Sequence, residues 1–151
     1  MTELTVLTRF ALASDRPTIW HLYEEALRHH IEAIWGWDAA WQKDHFDQAF
    51  ATSSTRVVEV DGRFAGYCQL DVGEPDDYLR MLVLRTDYRS LGVGAHLLSS
   101  MQADSRREGR GLYLRVFRTN TSARRFYERE GWTAVADEGN FLLMRPGVDR
   151  S

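Results

Sequence analysis

Cysteine is almost absent from this chain: Cys68 is the only one among 151 residues. A single cysteine excludes an internal disulfide. Because it lies in an apolar alternating stretch, we interpret it as a small buried hydrophobic residue rather than a nucleophile. No apolar run is long enough to span a membrane, and the polar N-terminus lacks the pattern of a secretory leader. We therefore expect a reduced, cytoplasmic setting.

An excess of charge of one sign is also missing. The net charge is -3 and the isoelectric point is near 5.9, which gives no general attraction to nucleic acid or to an anionic membrane. The sequence shows no internal repeat, low-complexity tract or linker-like segment. With 44% apolar and 27% charged residues, its composition is typical of a globular protein, and its length predicts one domain over residues 1–151.

Hydrophobic periodicity and turn residues divide the chain into alternating elements. A first strand lies within residues 3–11, followed by a helix from Ser14 or Asp15 to about Ile34 and a second helix capped by Asp38. The strands that follow cover about 55–60, 64–72, 78–85, 112–116, 132–135 and 141–145. Helices lie between the fourth and fifth strands, ending near 108, and between the fifth and sixth strands, at about 120–131. This order predicts an α/β (α+β) domain with one mixed sheet.

A glycine-bearing turn between a strand and a helix is the most informative stretch. The first amides of a helix have no internal partners and the helix dipole favours negative charge there, so such a turn can bind a phosphate. Glycine lets the phosphate approach the backbone. An ordinary turn is the alternative interpretation. The segment consists of Arg89, Ser90, Leu91, Gly92, Val93, Gly94 and Ala95.

A second motif runs from Asn120 to Trp132: an Asn that opens a helix, then Ala123, then Phe126-Tyr127-Glu128, closed by a glycine and an aromatic residue. Arg-x-x-Gly-x-Gly after an apolar strand resembles the acyl-coenzyme A loop of the GCN5-related N-acetyltransferases, and this second motif resembles that family's second signature. The resemblance extends over residues 5–145.

The resemblance implies a single mixed, mostly antiparallel sheet of six to seven strands, flanked by about four helices and containing a splayed central strand pair. It also implies transfer of an acetyl group from acetyl-CoA, as cosubstrate, to a primary amine of a small molecule, peptide or protein. The amine would attack directly in a ternary complex. We expect no metal, no nucleic acid and no membrane as partners, and a homodimer remains open.

Several residue roles follow from the resemblance. Backbone amides from Arg89 to Ala95 would hold the pyrophosphate, and the backbones of Leu82, Val83 and Leu84 would bind the pantetheine arm as an extra strand does. Asn120 would contact the cofactor, although a helix N-cap is an equal alternative, and Ala123 would lie beside it. Tyr127 would act near the coenzyme sulfur as the catalytic residue, the alternative being a half-buried aromatic residue.

The sequence departs from the family pattern at the expected general base. Many relatives carry a Glu at the place of Val83, and valine cannot take a proton. Two further departures are Ser90 and Leu91, where relatives usually have Gly and a basic residue. The base remains open: a water relay, an amine that arrives neutral, or a side chain from another segment. The candidate side chains are His30, Glu32, Asp71 and Glu74.

The acceptor end is predicted to involve residues around the first two helices. Aromatic faces with nearby acidic residues would suit a cationic amine, so we expect His30, Glu32, Trp35 and Trp37 to bind the substrate. Packing of the tryptophans onto the sheet is the alternative.

Two rival functions remain. One is an acyl-coenzyme A binding or sensing domain that has lost catalysis, which Val83 favours and which Asn120 and Tyr127 disfavour. The other is a generic nucleotide-phosphate binder, whose glycine spacing does not match this turn.

Overall fold

The computed structural model describes residues 3–147, which form a seven-stranded sheet and four α-helices. The ends of the predicted domain, residues 1, 2 and 148–151, lie outside the described residues. The strands are β1 (Val6–Phe10), β2 (Ser54–Val60), β3 (Arg63–Asp71), β4 (Asp76–Leu84), β5 (Gly111–Phe117), β6 (Trp132–Asp137) and β7 (Phe141–Pro146). The helices are α1 (Arg16–Trp35), α2 (Ala39–Thr52), α3 (Val93–Arg107) and α4 (Thr121–Arg129).

The seven strands form one sheet in the order β1-β2-β3-β4-β5-β7-β6. All neighbours are antiparallel except β4 and β5. The prediction of a mixed, mostly antiparallel sheet flanked by four helices is therefore confirmed. Within residues 3–147, no helix combines the length and the apolar character that crossing a membrane requires.

The helices cover the sheet from both faces. Adjacent side chains of a strand point to opposite faces, and on β5 the core divides accordingly. Val116 packs with Leu98 of α3 and Tyr127 of α4, whereas Phe117 packs with Ile19 of α1 and Phe46 of α2. Helices α1 and α2 therefore lie on one face, and α3 and α4 lie on the other.

The centre of the sheet is open between its two parallel strands. Pairing of β4 with β5 covers only Asp76–Leu79 and Gly111–Leu114. One residue later β4 carries a bulge, because Leu70 pairs with Leu79 while Gln69 pairs with Met81, which leaves Arg80 as the extra residue. Bulges bend a strand, so the C-terminal half of β4 diverges from β5. The splayed central strand pair is thereby confirmed.

Candidate active site

Free backbone amides stand at the N-terminus of α3, in the turn that follows β4. Within the described residues, no amide from Ser90 to Ala95 donates to a backbone carbonyl. Such free N–H groups at a helix N-terminus attract anions, and the helix dipole adds to the attraction. The Arg89 amide differs, because it donates to the Thr86 carbonyl at 3.2 Å. The turn can therefore hold a phosphate on the amides of residues 90–95.

Backbone conformation explains two of the small residues in this turn. Ser90 and Gly92 have positive φ angles, 63° and 82°, a region that costs a residue with a Cβ about 1–2 kcal/mol. This cost accounts for the glycine that the family resemblance expects at position 90. Gly94 is restricted by packing instead, since a Cβ there would lie 3.1 Å from the Phe126 ring. The glycines thus serve the turn and its contact with α4.

Only alternate residues of β4 present their backbone to the gap beside β5. The Arg85 amide donates to the Ala65 carbonyl of β3 at 2.7 Å, and backbone groups alternate in direction along a strand. The backbone N–H and C=O of Val83 therefore point toward β3, whereas those of Leu82 and Leu84 point toward the gap. Of the three residues predicted to bind the pantetheine arm by their backbone, Val83 thus has its backbone groups directed away from the gap.

The side chain of Val83 lies in an apolar environment. It is buried beside Tyr67 and Phe117 in the core under α1 and α2. A carboxylate at this position would lie on the same face of the sheet as the cavity described below. Because valine replaces it, no proton acceptor is present at this point of β4.

The start of α4 carries Asn120 as a helix cap. Its side-chain oxygen accepts a hydrogen bond from the Ala123 amide at 3.2 Å. Capping therefore occupies the oxygen of Asn120 and leaves its amide nitrogen for another acceptor. Ala123 packs against the core that contains Tyr127.

Tyr127 is buried between α4 and the sheet. Its ring contacts Phe126 and Trp132, with centroid distances of 5.1 and 6.1 Å. Burial raises the pKa of Tyr127 above its ordinary value, so the phenol stays protonated at neutral pH. The side chain can therefore donate a hydrogen bond to an anion that forms beside it.

A cavity of about 570 Å³ lies between the sheet and the helices α1 and α2. Its floor includes residues from both splayed strands, so the gap between β4 and β5 adjoins it. Aromatic and apolar side chains dominate its walls. The lining comprises Tyr23, Leu27, Ile31, Trp35 and Gly36 from α1 and its end, Asp38, Trp41, Gln42, His45, Phe46 and Ala49 from α2 and its cap, and Gln69, Tyr78, Arg80, Met81, Arg115, Phe117 and Phe141 from the sheet.

Of the four predicted substrate residues, Trp35 lines this cavity and three do not. Glu32 points to solvent, where it pairs with Arg28 at 3.4 Å. Trp37 packs against Trp20 instead, with a centroid distance of 6.2 Å. Glu32 follows the cavity-lining Ile31 by one residue, about 100° around the helix, and Trp37 lies beyond the end of α1. A continuous stretch of sequence is therefore divided between the cavity and other surroundings.

His30 lies behind the cavity wall. It stacks on Phe117 at 5.5 Å, and its Nδ1 lies 3.1 Å from the Thr119 hydroxyl. Burial, with a contribution from His29, lowers its pKa. His30 is therefore placed to support Phe117 rather than to contact a molecule in the cavity.

The other two predicted candidates for the base also lie outside the cavity lining. Asp71 binds Arg80 at 2.8 Å and accepts a hydrogen bond from Ser53. Glu74 is exposed in the loop before β4. The lining contains Asp38, whose Oδ1 caps α2 by accepting from the Trp41 amide, and the imidazole of His45.

Two arginines of the cavity floor were missed by the sequence analysis. Arg80 lies on β4 and Arg115 on β5, one on each side of the gap. The bulge brings Arg80 and Met81 to the same face, which strand alternation alone does not predict. Arg115 could have been found, because it shares its face with Phe117. Within residues 3–147, no group of three or more His, Cys, Asp or Glu side chains is suited to hold a metal ion.

The sequence matches the model of the acetyltransferase (GNAT) family over residues 16–132. A protein of Bacillus subtilis (strain 168) named "Putative ribosomal protein bS18-alanine N-acetyltransferase" is 28% identical over 115 residues, which make up 74% of this chain and 72% of that protein.

Solved structures of two acetyltransferases illustrate the shared fold. The PaiA N-acetyltransferase of Thermoplasma acidophilum, solved in complex with coenzyme A, has a TM-score of 0.75 at 16% identity and covers 95% of this chain and 99% of its own. The ribosomal-protein-S18-alanine N-acetyltransferase of Escherichia coli has a TM-score of 0.68 at 18% identity and covers 97% and 96%.

Proposed function

Because this chain belongs to the acetyltransferase (GNAT) family, we propose that it transfers the acetyl group of acetyl-CoA to the primary amine of an acceptor held in the cavity under α1 and α2. Three neighbouring features support this proposal. They are a helix N-terminus with free amides, a gap between β4 and β5, and a cavity whose floor includes both strands. A long, thin coenzyme would lie in the gap, and an amine would approach it from the cavity.

The coenzyme would be held mainly by the backbone. Amides of residues 90–95 bind its pyrophosphate, and the backbone of Leu82 and Leu84 binds its pantetheine arm as a neighbouring strand would. The Leu84 carbonyl also accepts a hydrogen bond from Arg89 Nε at 3.2 Å, so Leu82 offers the more open edge. Asn120 offers its amide nitrogen at the start of α4, next to Ala123. The acetyl thioester supplies the acyl group for the reaction.

The transfer requires one bond to form and one to break. The amine nitrogen attacks the thioester carbonyl, the carbon–sulfur bond breaks, and the departing thiolate needs a proton. Tyr127, which burial keeps protonated, would stabilise this thiolate by donating a hydrogen bond to the sulfur, and the thiolate takes up a proton from solvent when coenzyme A leaves. A hydrogen bond that strengthens as charge develops on the sulfur raises kcat rather than ground-state affinity.

The proton released by the amine needs a different route from the one that a Glu at position 83 would give. A water at the mouth of the cavity can accept it and pass it to His45, the imidazole of the lining. This route makes the reaction depend on the neutral fraction of the free amine, so its rate should rise with pH toward the pKa of the amine.

The acceptor is a small molecule or the end of a peptide. The relative from Bacillus subtilis is named for an alanine of a ribosomal protein, which keeps a peptide amine among the acceptors to test. The cavity of about 570 Å³ is within the usual size range for small-molecule sites, about 300–1,000 Å³.

The test is a panel of primary amines and alanine-terminated peptides with acetyl-CoA, read by release of free thiol and corrected for hydrolysis without amine. Burial raises the pKa of the Cys68 thiol to about 11, so the protein itself should contribute little thiol signal. Amine-dependent release supports the proposal. Tight coenzyme binding by calorimetry with no release for any amine would instead identify a binding domain that has lost catalysis.

A further inference from the structure

We infer that the acceptor carries a carboxylate beside its amine, and that Arg115, assisted by Arg80, recognises this carboxylate. The acceptor would thus be an apolar α-amino acid or a close analogue. This inference rests on the proposed function, because it specifies what occupies the acceptor cavity.

The two arginines are the cationic side chains of the cavity floor, and they flank the gap where the thioester would lie. Pairing between the strands ends at Leu79 and Leu114. Arg80 and Arg115 are the next residue on each strand, and both line the cavity. An amine directed into the gap would therefore have a neighbouring carboxylate within reach of both guanidinium groups.

Each guanidinium is fixed from outside the cavity. Glu138 accepts a hydrogen bond from Arg115 Nε at 2.7 Å, and Asp71 accepts from Arg80 Nε and Nη2 at 3.0 and 2.8 Å. The Glu138 bond uses only Nε of Arg115, which leaves its two terminal nitrogens for another acceptor. Two parallel N–H groups match the two oxygens of a carboxylate.

Aromatic rings further restrict Arg115. Its guanidinium lies 5.3 Å from the ring centre of Tyr78 and 5.6 Å from that of Tyr113, and these two rings stack at 4.9 Å. A guanidinium held by a carboxylate and by two rings loses little conformational entropy when it binds a ligand. Arg115 is thus preorganised as a binding group.

The rest of the lining selects against a polycation and in favour of an apolar body. Asp38 is the carboxylate of the lining, and one of its oxygens caps α2. Trp35, Phe117 and Phe141 form a connected aromatic surface in the same cavity lining. One carboxylate on the ligand and an apolar side chain of amino-acid size satisfy both parts of this surface.

Calorimetry with products separates this inference from the proposed reaction, since products bind without turnover. The full chain, with and without coenzyme A, is titrated with N-acetyl-L-tryptophan and with N-acetyltryptamine, which differ only in the carboxylate. Two charge-assisted hydrogen bonds should make the first bind at least about tenfold more tightly. Arg115→Gln should reduce the ratio of the two product affinities to about twofold or less, because glutamine lacks the paired N–H groups of the guanidinium.

Two further variants make the result specific. Arg56→Gln is the matched control, because Arg56 also lies over a ring, that of Phe10 at 4.7 Å, but outside the cavity lining; it should keep the ratio. Arg115→Lys keeps the charge without the fork, should lose most of the ratio, and gives the same readout if the Gln variant does not fold. Equal affinity of the wild type for the two products, or a ratio that survives in both Arg115 variants, would overturn the inference.

Kinetics with L-tryptophan and tryptamine then test acetyl transfer separately from carboxylate recognition. A carboxylate preference in binding without thiol release from any amine refutes the proposed transfer but supports carboxylate recognition. Efficient acetylation of tryptamine, with no gain for tryptophan in kcat/KM or in product affinity, refutes carboxylate recognition but supports transfer.

Discussion

On the α3–α4 side of the sheet, Leu98, Leu114 and Met144 are at most 2% exposed, and Tyr127 and Trp132 close the core around them. On the α1–α2 side, the helices stand away from β4, β5 and β7 and leave the cavity of about 570 Å³. The first side presents mostly backbone to the candidate coenzyme site, and the second presents side chains to the candidate acceptor site. Side-chain substitutions on the α3–α4 side should therefore affect coenzyme binding less than substitutions in the cavity lining on the α1–α2 side affect acceptor binding.

The largest effect is expected on the α3–α4 side, called the backbone side because it presents mostly backbone to the candidate coenzyme site. Gly92→Glu places a negative charge at the N-terminus of α3, where the pyrophosphate is proposed to bind. We expect coenzyme affinity to fall at least about 100-fold, because several charge-assisted hydrogen bonds of about 1.5–3 kcal/mol each are lost or opposed. Calorimetry with coenzyme A measures this loss.

Gly109→Glu is the matched control for that variant. Gly109 ends α3, has a φ of 73° and, like Gly92, has open space where a Cβ would lie. Backbone strain should therefore be similar in both variants, and only Gly92→Glu should lose coenzyme affinity. Gly94→Glu is the poorer test, since contact with Phe126 would disturb the fold. Normal affinity in folded Gly92→Glu would remove the phosphate site from the turn.

Tyr127 gives the next largest effect on function, because it is the side chain near the coenzyme site that would act chemically. Tyr127→Phe keeps the ring and its contacts with Trp132. We expect coenzyme affinity within a few-fold of the wild type and a single-turnover rate lower by at least about tenfold, somewhat below the usual range for proton transfer because water can substitute in part. An unchanged rate would reduce Tyr127 to a packing residue.

The tryptophans of the acceptor side should separate into two kinds. Trp35 is 59% exposed and lines the cavity, so Trp35→Ala should raise the acceptor KM about fivefold, equivalent to one aromatic contact of roughly 1 kcal/mol. Trp37 packs against Trp20 and Arg28. Trp37→Ala should instead lower the free energy of unfolding by about 3 kcal/mol, the lower end for large-to-small changes. Kinetics and urea melts on both variants show whether the roles are exchanged.

The backbone side could be predicted well from the sequence. The turn at residues 89–95, the cap at Asn120 and the helix that carries Tyr127 depend on local signals: glycine at positive φ, an Asn before a helix, and apolar spacing. Each of these signals is complete within a few neighbouring residues. The order of the elements and the mixed sheet followed from the same kind of pattern.

The acceptor side could not be predicted in the same way. His30, Glu32 and Trp37 are close to Trp35 in sequence, yet helix geometry directs them elsewhere. Arg80 reaches the cavity because of a bulge, and bulges have no clear sequence signal. Strand alternation places Arg115 on the face of Phe117, but only the register shows that pairing with β4 ends next to it. These facts depend on contacts between distant segments.

The smallest expected effect concerns Tyr67, the buried tyrosine on the acceptor side that contrasts with Tyr127. Its side chain is fully buried, and within the described residues its hydroxyl has no hydrogen-bond partner. Because an unpaired buried hydroxyl is unfavourable, Tyr67→Phe should raise the free energy of unfolding by about 1 kcal/mol and leave kinetics unchanged. Tyr23→Phe is the control: its hydroxyl donates to Gln42 at 3.0 Å, so that variant should lose about 1 kcal/mol.

The pH dependence gives the Tyr67 prediction a second, independent readout. Burial raises the pKa of Tyr67 well above its ordinary value in the folded chain, whereas the unfolded chain ionises near pH ~10. The unfolded state therefore loses its proton first, so the stability associated with this group is complete below pH ~10 and falls above it by up to about 1.4 kcal/mol per pH unit. Tyr67→Phe lacks this loss. The difference in free energy of unfolding between the variant and the wild type, measured in urea melts, should therefore grow from pH 8 to pH 10.5. A variant that is less stable than the wild type at pH 8 would show that the hydroxyl has a partner, such as a buried water, and that Tyr67 is as fully satisfied as Tyr23.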